Sequence, residues 1–168
     1  MPGAIAERLK AWHETPRFAP LHLHSDRRDR TCTGGQDGGF HLGLLAEDIN
    51  GWNNLMRRAS EAYLTGFYFK PRMDRELLEA CSDGLIAIDG HLGSEIAHHL
   101  VKYEATKDEA HWKAACDVCA WKRATFSPNA DGEPRFYVEL QHHVPEQIAI
   151  NPHLLRLARV HRDGQEQV

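Results

Sequence analysis

The chain has 168 residues, about the size of one domain, which excludes a multidomain machine within it; 42% hydrophobic and 26% charged residues exclude a disordered or fibrous chain. A formal net charge of -4 excludes a global basic field of the kind that binds nucleic acid by charge alone, so any polyanion has to meet a local patch. The 12 histidines are the compositional anomaly, because imidazole both titrates and ligates metals near neutral pH.

Residues 4–14 place Ile5, Leu9 and Trp12 on one helical face, and Pro16 ends that short leading helix. Residues 18–24 alternate as a strand, whereas 25–39 combine charged side chains and glycines without apolar periodicity and predict a loop. A second strand at 41–46 leads into a helix at 49–64 with Trp52, Leu55, Met56, Ala59 and Tyr63 at core-facing spacing. Residues 67–72 form an aromatic-basic segment stopped by Pro71, Asp74 caps a helix through Ala80, and 84–89 reads as a buried strand. Helices at 94–103 and 107–124, a strand at 136–141 and a last helix at 146–160, carrying Ile148, Leu154, Leu155 and Leu157, complete the pattern. Strands alternating with helices predict an α/β fold on a parallel sheet, wrapped as a barrel or doubly wound. No apolar run approaches the roughly 18 residues that span a bilayer, and residues 1–10 lack the features of a secretory signal, so a cytoplasmic protein with no membrane partner is expected. Cys32, Cys81, Cys116 and Cys119 are too few and too unevenly spaced for a disulfide scaffold and are expected as reduced thiols.

His22 and His24 stand two apart on the first predicted strand, so both imidazoles share a face and two nitrogen ligands converge; the alternative is two histidines on a half-exposed strand. Parallel α/β folds place their sites at the C-terminal ends of strands, where this pair lies. His91, in the turn Gly90-His91-Leu92-Gly93, either reaches the same rim or is a hydrogen-bonded loop residue. His41 opens the second strand, and periodicity does not say which rim it faces. Cys116 and Cys119 form a CxxC inside a helical run with no second CxxC, which reads as plain helix residues. His98, His99, His111, His142 and His143 read mainly as solvated or packed. The segment Phe67-Tyr68-Phe69-Lys70-Pro71-Arg72 interleaves rings with two cations, which suits stacking and phosphate contact by Lys70 and Arg72; the alternative is aromatics packing beneath a structural loop.

Residues 40–96, with HLGLLA, GFYFKPRMD and DGLIAID, residues 136–159, with FYVELQHHVPEQ, and the opening FAPLHLHSD together closely resemble the PHP domain (polymerase and histidinol phosphatase) of bacterial DNA polymerase III alpha subunits. The resemblance implies a distorted (β/α) barrel whose rim histidines and carboxylates bind zinc or another divalent metal for phosphoester hydrolysis. In some members this supports 3'-to-5' exonuclease activity, and in others the domain is structural. By position, His22 and His24 match the first-motif ligand pair, His41 the histidine of the HLxLLA motif, and His91 a place often held by cysteine in the family's GCLG turn. DNA and replication proteins are the partners it implies.

The departures are as specific as the match. Residues 26–39 stand where the family carries a Thr-Asp-His motif and a glutamate ligand, and residues 161–168 diverge where it carries an Asn-Asp-x-His motif. His142 replaces the aspartate of LQDH, and no polymerase palm is present. They imply one partial domain over 1–168 with a shortened junction at 26–39 and a divergent tail at 161–168. The barrel is expected to be incomplete, with strand edges open to self-association. Two functions follow. One is a metal-dependent phosphoesterase with His22, His24, His41 and His91 on a single tetrahedral zinc; the other is a non-catalytic structural or interaction module with a degenerate metal site.

Overall fold

A computed structural model describes residues 18–31 and 39–162. The helix expected at 4–14, Cys32 and residues 163–168 lie outside the described residues, as does the middle of the 26–39 junction. The elements are β1 Phe18–Leu23, β2 Phe40–Ala46, α1 Ile49–Leu64, β3 Phe67–Tyr68, β4 Lys70–Pro71, α2 Arg75–Ala80, β5 Leu85–Asp89, α3 Glu95–Thr106, α4 Glu109–Thr125, β6 Phe136–Val138 and α5 Pro145–Arg162.

Among the described residues four strands form an open sheet in the order β1-β2-β5-β6, and β3 and β4 make a separate hairpin. The parallel sheet expected from sequence is corrected to a mixed one: β1 with β2 and β2 with β5 run antiparallel, and β5 with β6 runs parallel. A parallel pair needs a crossover, commonly helical. After β1 the chain instead makes turns in which Arg27 donates from its backbone N–H to Asp74 and from its guanidinium to Asp74 and Thr65, and the next strand returns beside the first. Between β5 and β6 the chain passes through α3 and α4, and there the parallel pairing appears.

Register divides the faces. Leu42, Leu44 and Ala46 of β2 and Leu85 and Ala87 of β5 join Leu55 and Ala62 of α1, Met73, and Leu77 and Leu78 of α2 in one core cluster. Ile96, Ala97 and Leu100 of α3, Ala115, Val118 and Cys119 of α4, and Ile150, Leu154 and Leu157 of α5 make a second, and Phe136 packs against both. The two-residue alternation sends His41, Gly43 and Leu45 to the other face, together with His22, which pairs with His41.

Helix α1 starts where Asp48 caps it by accepting from the Gly51 N–H at 2.7 Å. Gly51 abuts the following turn so closely that a Cβ there would stand 1.8 Å from the Gly84 carbonyl oxygen, so only glycine fits. The face α1 buries is Gly51, Leu55, Arg58 and Ala62, whereas Met56 and Tyr63, expected in the core, are 49% and 61% exposed. Arg58 explains the rotated face. Its long stem fills core space, Nη2 donates to the Leu78 carbonyl at 2.5 Å, and burial pushes its pKa down to about 10.

Two smaller expectations also shift. Strand β6 ends at Val138 rather than at residue 141, because its partner β5 ends at Asp89 and the chain turns away at Gly90 with φ of +111°. In α5 Ile148 and Leu155 are exposed while Ile150 takes a buried place. Cys81, Cys116 and Cys119 are free thiols, as expected, and burial pushes Cys119 up to about 12, too high for a ready thiolate. No helix among the described residues is long and apolar enough to cross a membrane.

Candidate metal centre

The end of β1, the start of β2 and the ends of β5 and β6 meet at one edge of the sheet. Register places His22 directly opposite His41, with ring centroids 4.9 Å apart and edge-to-face. His91, in the turn after β5, stacks on His41 at 5.5 Å. Three of the four expected ligands thus form a row. The backbone holds it: the His41 N–H donates to the Gly93 carbonyl at 2.8 Å, and the Gly93 N–H donates to His91 Nδ1 at 2.9 Å. A Cβ at Gly93 would stand 2.9 Å from His41 Nδ1 and 3.0 Å from His91 Cε1, so the absence of a side chain permits the approach. His24, the fourth expected ligand, rests against Gly39, where a Cβ would fall 2.5 Å from its Nε2. Its backbone N–H donates to the Met73 carbonyl at 2.7 Å.

Partial burial of the ring lowers the proton affinity of His41, and His22, His91 and Lys70 lower it further. A neutral imidazole keeps a lone pair for an ion. His22 Nδ1 is buried without a hydrogen-bond partner, an orphan atom of the kind an ion or ligand satisfies. Glu139, one residue beyond β6, is a carboxyl that sequence reasoning missed. Burial raises its pKa and His91 partly offsets this, while Gln141 Nε2 donates to its Oε1 at 2.8 Å. The available signal was a glutamate within the strand expected at 136–141, but only the parallel pairing of β5 with β6 brings it near enough to His91 for the two charges to interact. A second missed feature is the ion pair of Lys122 with Asp89, both side chains fully buried. Asp89 also accepts from the Gly90 N–H at 2.6 Å and so braces the turn that carries His91.

Four-coordinate zinc with Zn–N bonds of about 2.0–2.1 Å sets neighbouring imidazole centroids about 5 Å apart, which both observed spacings match. Three imidazoles and one orphan nitrogen are donors of the type a single borderline ion takes. They do not by themselves make a multi-metal cluster, which needs bridging carboxylates. As placed, no three His, Cys, Asp or Glu side chains among the described residues converge to hold an ion, so the rings have to turn about their side-chain torsions to close on one.

The two cations expected to meet phosphate separate. Lys70 is exposed on the hairpin. Arg72 is instead buried, donating from Nε to the Gly66 carbonyl at 3.4 Å and from Nη2 to the Asp29 carbonyl, with its guanidinium 5.1 Å from the centre of the Tyr68 ring.

Comparison with known proteins bears on this edge of the sheet. Residues 19–143 match the PHP domain. The chain is 42% identical over 135 residues to the DNA polymerase III subunit alpha of Thermus aquaticus, covering 79% of this chain and 10% of that protein. It is 40% identical over 128 residues to that of Deinococcus radiodurans, covering 75% and 9%. Against the Campylobacter jejuni subunit it is 30% identical over 145 residues, covering 84% and 11%. The chain spans about a tenth of the length of these relatives.

Proposed function

Because the chain belongs to the PHP domain family, with DNA polymerase III alpha subunits as its relatives, we propose that it is a replication-associated PHP module whose rim histidines hold one divalent ion beside a nucleic-acid phosphodiester. The row of His22, His41 and His91 carries this reading, since imidazole chemistry and ring spacing both suit zinc. His24 completes the set if its ring swings past Gly39. The ion would supply Lewis acidity toward a phosphodiester oxygen. In this reading Glu139, its pKa raised by burial, takes or gives the proton, and Lys70 meets the phosphate. Arg72 acts from behind by fixing Tyr68 and hence the hairpin. We read the open sheet as part of a PHP-type barrel, in which, among the described residues, β6 and the start of β1, ahead of the bridge from Leu23 to Met73, are edges available to further strands or to a second copy.

A second reading, a structural module without turnover, is favoured by one observation: no three His, Cys, Asp or Glu side chains among the described residues are arranged to hold an ion. Titrating zinc into chelator-washed protein by calorimetry, with turnover of bis(p-nitrophenyl) phosphate measured alongside, separates the two. We expect one zinc per chain, a raised melting temperature, and no uptake by the His41→Ala/His91→Ala variant. Turnover that is lost in Glu139→Gln while zinc stays bound supports hydrolysis; zinc without turnover supports the structural module. No zinc uptake by the wild type overturns the site itself.

A further inference from the structure

The hairpin of β3 and β4 presents one residue in an unusual way. Phe69, at its tip, has φ of +60°, a left-handed backbone that bulky side chains rarely adopt, and it is 70% exposed. Its described ring contact is the edge of Tyr68 at 4.5 Å. The guanidinium groups of Arg72 and Arg30 in turn lie 5.1 Å and 5.8 Å from the centre of the Tyr68 ring. Beside them Tyr63 and Phe67, both exposed, stack at 5.9 Å and 14°.

The tip is tied to the imidazole row. Lys70 follows Phe69, is exposed, and lies near enough to His41 to act on its charge. Three residues further on, Met73 pairs with Leu23. Its N–H donates to the His22 carbonyl at 2.9 Å and its carbonyl accepts from the His24 N–H. Hairpin and first ligand strand are thus one hydrogen-bonded unit.

A strained backbone persists only where its surroundings over-determine it, and here they hold an aromatic ring out in solvent beside a cation. We propose that Phe69 is a stacking platform for one unpaired nucleobase, with Lys70 on the adjoining phosphate, so that a single strand runs along the hairpin toward His41. A partner offering both a π-face and a negative charge matches a ring followed by an ammonium group, whereas a purely apolar partner leaves Lys70 without a counter-charge. The inference rests on the proposed metal site for where the phosphodiester leads, but not for the strand binding itself.

Fluorescence anisotropy of a labelled oligo(dT) of roughly ten nucleotides, with the full chain in chelator, reads strand binding apart from metal. Phe69→Ala and Phe69→Gly should each weaken binding about tenfold or more with the salt slope unchanged. Phe69→Gly should at the same time raise the melting temperature by about 2–4 °C, because glycine adopts the left-handed backbone without strain. Lys70→Ala should reduce the slope of log affinity against log salt by about 0.7. Wild-type affinity in Phe69→Gly, equal binding of a duplex of the same length, or no binding by the wild type overturns the proposal. Zinc titration of the same proteins keeps the two ideas apart. Phe69-dependent strand binding without zinc uptake sinks the metal site and sustains the platform; zinc uptake with Phe69-independent strand binding does the reverse.

Discussion

At Gly93 a single absent methyl group governs how closely His41 and His91 approach. Gly93→Ala should therefore lower zinc affinity at least tenfold, read by calorimetry. The atoms obstructed are the ends of rings that can swing away, so the urea midpoint should fall by no more than about 1 kcal/mol of stability. A variant that binds zinc as the wild type does would show that the two rings need not close together. At this scale the sequence was partly legible: an HxH on a strand and a histidine between glycines announce candidate ligands through local alternation and turn chemistry. Lys70 and Arg72 look equivalent in sequence, two cations in one segment. They differ because Arg72 finds two carbonyls and a ring to cover its guanidinium, while Lys70 faces solvent.

Helix α4 is fastened to the end of β5 by the ion pair of Lys122 with Asp89. Lys122→Met leaves a carboxylate buried without its counter-charge and should cost about 3–5 kcal/mol, measured as a fall in the urea midpoint. The double variant Lys122→Met/Asp89→Leu should recover most of that loss, since a hydrophobic pair of similar volume needs no compensation; equal losses in both would place the cost in packing instead. Helix starts were legible where caps are local, as where Asp48 begins α1, whereas α3 runs to Thr106 and ends at Lys107, with φ of +56°, beyond the residue 103 expected from apolar spacing. Helix faces were less legible. Hydropathy alone counts Arg58 as a surface residue, yet its burial turns Met56 and Tyr63 outward.

Across the whole molecule, the histidines outside the rim make folding sensitive to acid. His98 and His99 of α3 have rings 5.4 Å apart, and His99 lies 6.3 Å from His111 of α4. Burial is the largest cause lowering the proton affinity of both; Lys102 and His111 add to it at His98, and His98, His111 and Lys102 at His99, against opposition from Glu95. In the unfolded chain these groups titrate near about 6.5, so below that value the unfolded state binds more protons. Their contribution to stability is complete above about pH 6.5 and declines as pH falls toward the lower folded values. The melting temperature should drop between about pH 7.5 and about pH 5.5, and His98→Gln/His99→Gln should flatten that drop. An unchanged pH slope in the double variant would locate the responsible protons elsewhere.

Outside the β3-β4 hairpin, which the sequence offered only as an aromatic-basic segment, the element types of the described residues, their approximate limits, the candidate imidazoles and the PHP resemblance were determined by sequence alone, because periodicity, caps and short motifs are properties of neighbouring residues. Only the tertiary structure decided that the sheet is mixed, that His22 stands opposite His41, that Glu139 lies near enough to His91 to feel its charge, and that Arg58, Arg72 and the pair Asp89 and Lys122 are buried. Those outcomes depend on which distant segments meet, and strand direction, register and the desolvation of a charge leave no mark on the residues beside it in the chain.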